Sequence, residues 1–205
     1  VVRKTKFINL ADYRFKKVND SAFGPGSGWL EIYNNNNSEL LFKSNKIVYD
    51  GREIFAQRVF GENRVTGSGD KDLFLRYMTV GTGGCDPGDP NLPLDPDLED
   101  HGLDTEIVID LADPDCIPDG KKKKFASVEF LQDINNNNRY VIAKATVVIG
   151  RTQCNGQSLN EAGLWFSDNS NPAAATRFVL ASRITFPSIT KNDTLELVLA
   201  WYYFM

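Results

Sequence analysis

Thr194-Leu195-Glu196-Leu197-Val198-Leu199-Ala200-Trp201-Tyr202-Tyr203-Phe204 is the stretch whose two-residue period decides the fold class. Successive side chains of a strand point to opposite faces, so Leu195, Leu197, Leu199, Trp201 and Tyr203 share one side. Val198, Ala200, Tyr202 and Phe204 make the second side apolar too, after Glu196. Such a strand is covered on both faces, by its own core or by a neighbouring subunit. Upstream, Phe178, Leu180, Ile184 and Phe186 supply a matching face, and Pro187 is expected to end that strand.

Working outward, strands and turns continue to the beginning of the chain. Residues 29–33 and 39–43 flank Asn34-Asn35-Asn36-Asn37, and residues 125–134 and 139–149 flank Asn135-Asn136-Asn137-Asn138. Asn tolerates left-handed backbone and bonds to its own turn, so each four-Asn block predicts a hairpin loop. Residues 46–49, 53–60 and 73–80 read as further strands, with 57–62 or 160–164 as the only candidates for a helical turn. In 205 residues with 41% hydrophobic content, these elements predict one all-β domain over 1–205. The expected architecture is an antiparallel β-sandwich, jelly-roll-like or Ig-like.

Charge is segregated along the chain. Between Cys85 and Asp119 there are twelve acids and no Lys or Arg, which leaves 15 acids against 23 bases elsewhere. Pro87, Pro90, Pro93, Pro96, Pro114 and Pro118 remove backbone donors, so 85–100 is expected to be neither helix nor central strand. Residues 85–119 therefore read as an acidic, extended arm inserted in a basic body. Leu92, Leu94, Leu98 and Leu103 punctuate it as apolar anchors, and 106–111, carrying Ile107 and Ile109, reads as a short strand. These six apolar residues are the expected interaction surface. Asp95, Asp97, Glu99 and Asp100 form a weak calcium candidate, because Ca²⁺ takes six to eight hard oxygens. They lack the EF-hand glycine, and Pro96 stiffens the run, so a solvated acidic arm is the favoured reading and no metal or cofactor is expected.

Little in the composition suggests catalysis. The one histidine, His101, lies inside the acidic segment, whereas a serine or cysteine nucleophile normally needs a histidine base held by a third group. Gly81-Thr82-Gly83-Gly84 and Gly24-Pro25-Gly26-Ser27-Gly28 are not Walker sequences and read as turns. Lys121-Lys122-Lys123-Lys124 has no interleaved aromatics, so contact with nucleic acid is not expected. Cys85, Cys116 and Cys154 are odd in number and widely spaced, which predicts free thiols, with Cys85–Cys116 as the one pairing that would clasp the acidic loop. No apolar run approaches about 18 residues, and no signal-peptide core follows Val1-Val2-Arg3-Lys4, so a soluble protein made in a cytosol is expected.

Asn160-Glu161-Ala162-Gly163-Leu164, then Arg183, Phe186, Pro187, Ile189 and Lys191, then the closing strand, resemble a C-terminal signature of small structural proteins of tailed bacteriophages. In that pattern an N-E-A-G-L turn leads to R-x-x-F-P-x-I-x-K and a hydrophobic strand. The match spans residues 159–204, and Tyr202 and Tyr203 make the last strand more aromatic than the pattern. The resemblance implies a non-enzymatic virion component, assembled in the host cytoplasm in several copies at the neck, tail or baseplate, or decorating the capsid. Its expected partners are other virion proteins and copies of itself. Charge segregation suggests a mechanism in which the acidic arm docks on the basic body of a neighbour while 106–111 adds to that neighbour's sheet edge. The alternative is a carbohydrate-binding sandwich that recognises a cell surface with Trp29, Tyr33, Trp165 or Tyr202. Exposure of those rings discriminates the two, and a hydrolase on the same scaffold ranks behind both.

Overall fold

The computed structural model describes residues 6–8, 28–44, 46–48, 50–52, 54, 73–133 and 141–204. Its strands are β1 Lys6–Ile8, β2 Gly28–Asn34, β3 Glu39–Ser44, β4 Lys46–Ile47, β5 Phe74–Gly81, β6 Cys85–Asp86 and β7 Asp89–Pro93. They continue as β8 Lys123–Lys124, β9 Ser127–Asp133, β10 Val141–Ile149, β11 Ser158–Ser167, β12 Phe178–Thr190 and β13 Leu197–Phe204. One sheet has the order β1-β9-β10-β13-β2-β3, a second β4-β12-β11-β5-β8, and β6 and β7 form a small ribbon. The pairings are antiparallel apart from β1 with β9. The protein is mostly β, with its two large sheets packed as a sandwich.

The alternation in 194–204 places the core. Leu197, Leu199, Trp201 and Tyr203 of β13 point inward with Leu30 and Ile32 of β2 and Ala145, Val147 and Ile149 of β10. They meet Met78 and Val80 of β5, Ala162 and Leu164 of β11, and Ile184 and Phe186 of β12. β13 lies between β10 and β2, and Ala200 and Tyr202 on its second face are buried as well. Tyr202 is 2% exposed within the single chain and stacks on Trp29 at 4.5 Å. Its burial needs no neighbouring subunit.

Asn34–37 makes the expected hairpin. The Asn34 side chain accepts from the N–H groups of Asn36 and Ser38, and Asn37 takes a φ of 56°. The second Asn block lies outside the described residues, as do the N-terminal basic runs apart from Lys6, the glycines before Gly28, and the helical-turn candidate at 57–62. Of the strand expected over 53–60, only Ile54 is described, and it is helical together with residues 50–52.

Two expectations near the phage-like pattern are corrected. Residues 160–164 form no turn or helix but run through β11, because their neighbours β5 and β12 pair with them on both sides. Pro187 does not end its strand. Leu159 pairs with Ile189 and Glu161 with Thr185, so Phe186, Pro187 and Ser188 bulge opposite Asn160. A proline without an N–H is tolerated where the ladder is interrupted, and the strand resumes to Thr190.

The acidic segment does not project as an arm. Side chains of β11 and β12 alternate, so while Ala162, Leu164, Ile184 and Phe186 enter the core, Glu161, Gly163, Arg183 and Thr185 face outward. Residues 82–105 lie over that outer face. The β6–β7 ribbon packs against β12, with Pro90 and Pro93 in a two-stranded ribbon and not in a central strand. The expected strand over 106–111 shrinks to one bridge between Glu106 and Gly81. Ile107 N–H donates to Val80 O and Ile109 N–H to Gly120 O. Ile109 is 4% exposed in the subunit's own core and Ile107 packs against it, so this segment offers no free strand to a neighbour's sheet.

Candidate functional site: a buried charge cluster on the outer face

Glu161 and Arg183 are brought together by the register of β11 with β12, where Gly163 lies opposite Arg183. Glu161 is fully buried. Its Oε1 accepts from the N–H groups of Gly83 at 3.0 Å and Thr105 at 2.9 Å, and its Oε2 from Asp104 N–H at 3.1 Å. Arg183 Nη2 donates to the same Oε2 at 2.7 Å and to Asp104, and Nη1 donates to Asp100 at 2.8 Å. Burial alone would lower the Arg183 pKa, but hydrogen bonds to Asp104 and Asp100 and the field of Glu161 prevail and raise it. One guanidinium thus holds three carboxylates, and one carboxylate holds both ends of residues 83–105.

The surrounding residues serve the same attachment. Asn160 Oδ1 accepts from Gly84 N–H at 2.8 Å, and the Thr185 hydroxyl donates to the carbonyl of Leu94. Gly81 and Gly84 leave room for this approach: a Cβ on Gly81 would fall on Thr105 O and the Glu161 carboxylate, and one on Gly84 on Asn160 O. The Gly-rich run is therefore a close-packing device with no phosphate cradle. Lys191, the last polar residue of the pattern, is also fully buried. Its ammonium donates to Arg151 O, Asn155 Oδ1 and Asn192 O at 2.8–3.1 Å, fastening the β10–β11 and β12–β13 connections together.

Nine of the twelve acids between 85 and 119 have a visible task. The carboxylates of Asp86, Asp89, Asp97, Asp110, Asp113 and Asp119 each accept from the N–H two residues on, the turn chemistry that makes Asp frequent in tight loops. Asp100 and Asp104 are held by Arg183, and Glu106 by Lys122 at 2.9 Å. Lys122 also sits 4.2 Å from the centre of the Trp165 ring, and Lys123 pairs with Asp113 at 2.6 Å. Lys122 and Lys123 are thus partnered by the acidic segment of their own subunit, through contacts that charge segregation alone assigned to a neighbour.

The structure disperses the remaining sequence candidates. Of the four calcium candidates, Asp100 is committed to Arg183, and Asp97 accepts from Glu99 N–H while its own N–H donates to Asp100. Among the described residues, no three His, Cys, Asp or Glu side chains are gathered as a metal site. Leu98 and Leu103 are half-buried, Leu103 lying against Gly163, whereas Leu92 and Leu94 are 54% and 41% exposed. His101 is exposed, and its Nδ1 lies 2.7 Å from Asp50, which raises its pKa. Cys85, Cys116 and Cys154 are free and buried. Trp29, Trp165 and Tyr202 are at most 5% exposed, and Tyr33 is half-buried with its hydroxyl donating to Glu31 at 2.5 Å. Among the described residues, no helix is long and apolar enough to cross a membrane.

Sequence reasoning singled out Asn160, Glu161, Arg183 and Lys191 as parts of a pattern but assigned them no contacts. Their opposite charges 22 residues apart, on strands with inward-facing apolar neighbours, were the available signal. Searches against protein-family models, curated proteins and solved structures found no match.

Proposed function

We propose that this chain is a non-enzymatic structural component of a tailed-phage virion, present in several copies at the neck, tail or baseplate, or on the capsid surface. The observation that carries the reading is the use made of the pattern's polar residues. Asn160, Glu161, Arg183 and Lys191 are spent on fastening loops to strands, and none is left facing an open cleft. A rigid, internally bolted sandwich is what repeated docking in a particle requires, since preorganisation lowers the ordering cost of each contact. Burial of Trp29, Trp165 and Tyr202 favours a scaffold over a sugar-stacking surface.

The assembly mechanism differs from docking through the acidic arm, because the acids meet Arg183, Lys122 and Lys123 of their own subunit. Leu92 on the ribbon and Leu94 just after it are exposed and remain as the contact residues toward a partner. The test is a null allele in the encoding phage, complemented in trans. Incomplete particles restored by the wild-type chain support the reading. Normal, infectious particles without it refute the reading, and glycan binding by the isolated protein would replace it with the carbohydrate-binding alternative.

A further inference from the structure

We propose that residues 82–105 form a strap that opens as a unit from the outer face of the five-stranded sheet, hinged at the Gly81–Glu106 bridge and locked by Arg183. Both ends of the strap meet at its base: Thr82 N–H donates to Thr105 O, and Ile107 N–H to Val80 O. Loops whose ends lie this close together form compact surface units. What holds the strap differs in kind from what holds its flanks. In the described core clusters no residue of 82–105 takes part, whereas Ile107, Ile109, Cys116 and Ile117 beyond the hinge all do.

Apart from Cys85, which is 7% exposed, and Leu103, which lies against Gly163, the strap is fastened by polar links, and most of these converge on two side chains. Glu161 takes the N–H groups of Gly83, Asp104 and Thr105, and Arg183 takes the carboxylates of Asp100 and Asp104. Asn160, Thr185 and Asp50 add single contacts at Gly84, Leu94 and His101, and the Cys85 thiol donates to Phe186 O at 3.2 Å. Segments with few buried apolar contacts open at lower free energy than the core they cover. The closed state also buries two donors, Thr79 Oγ1 and Arg183 Nε, with no protein acceptor in reach. Opening would give both to water, which lowers the cost of release. The strip so bared comprises Thr79, Gly163 and Thr185 around Arg183, a polar surface that is hidden while the strap is closed.

Hydrogen exchange read by mass spectrometry tests the strap on the whole chain. In the wild type, amides of 84–105 should exchange before those of β10, β11 and β13. The double variant Asp100→Asn, Asp104→Asn keeps the Arg183–Glu161 pair and so leaves no uncompensated buried charge. It should raise exchange across 84–105 by about tenfold or more while the sheet amides keep their protection. Arg183→Lys, which retains charge without the fork, should fall between the two. Exchange of 84–105 unchanged in the double variant would overturn the proposal. So would loss of protection in strap and sheets together, because the segment would then belong to the global folding unit.

Discussion

At the scale of single residues, the largest consequences follow from complete burial. Trp201 is 1% exposed at the centre of the core, and Trp201→Ala is expected to cost about 3–5 kcal/mol in denaturant unfolding. Gly81→Ala adds only a methyl group, yet that group meets Thr105 O and the Glu161 carboxylate, and a loss of about 1–3 kcal/mol is expected from overpacking. Burial pushes the Cys116 thiol up to about 12 and the Cys154 thiol to about 11. Neither supplies appreciable thiolate near neutrality, so both should resist alkylation in the native protein. All three cysteines should react once it is unfolded without reductant. Rapid native alkylation of Cys116 would show that its surroundings are open to solvent.

At the scale of elements, legibility depended on how far apart in sequence the partners lie. The Asn34–37 hairpin and the two faces of β13 could be read because turn chemistry and two-residue alternation are local. The bulge at Pro187 was not legible: proline signals an interrupted ladder, but only the strand opposite decides whether it ends there. The acidic segment was misread for the same reason. Its acids bond N–H groups two residues away or cations from 10 to 83 residues away, and composition distinguishes neither from a solvated arm. Asp113 belongs to this scale because it joins that segment to β8. Burial opposes its charge, but hydrogen bonds from Lys123, Asp115 N–H and Gln153 prevail and hold its pKa below the ordinary 3.8. A carboxylate lowered on folding contributes stability that is fully present above 3.8 and is lost as pH falls through the folded value. Asp113→Asn should therefore destabilise at neutral pH, with the difference from wild type closing as unfolding is measured further below pH 4. A constant difference down to that range would show that the carboxylate charge does not matter there.

At the scale of the whole molecule, two packed sheets supply the stability, and the outer layer made by 82–105 is added to them. Replacing residues 86–100 by a short Gly-Ser linker should leave a soluble, folded protein, because the segment places no side chain in the described core clusters. Circular dichroism should retain the β signature, and the unfolding midpoint should fall. Failure to fold would show that the strap's polar links are needed to form the outer face of the sheet. In a virion component the same deletion removes Leu92 and Leu94 and should weaken incorporation into particles. The most direct measurement is quantitative mass spectrometry of density-purified virions of the encoding phage. The structural-component reading predicts this chain at a fixed multiple of copies per particle, retained through purification at high salt. Its absence from purified virions, with abundant chain in the infected-cell lysate, would contradict that reading.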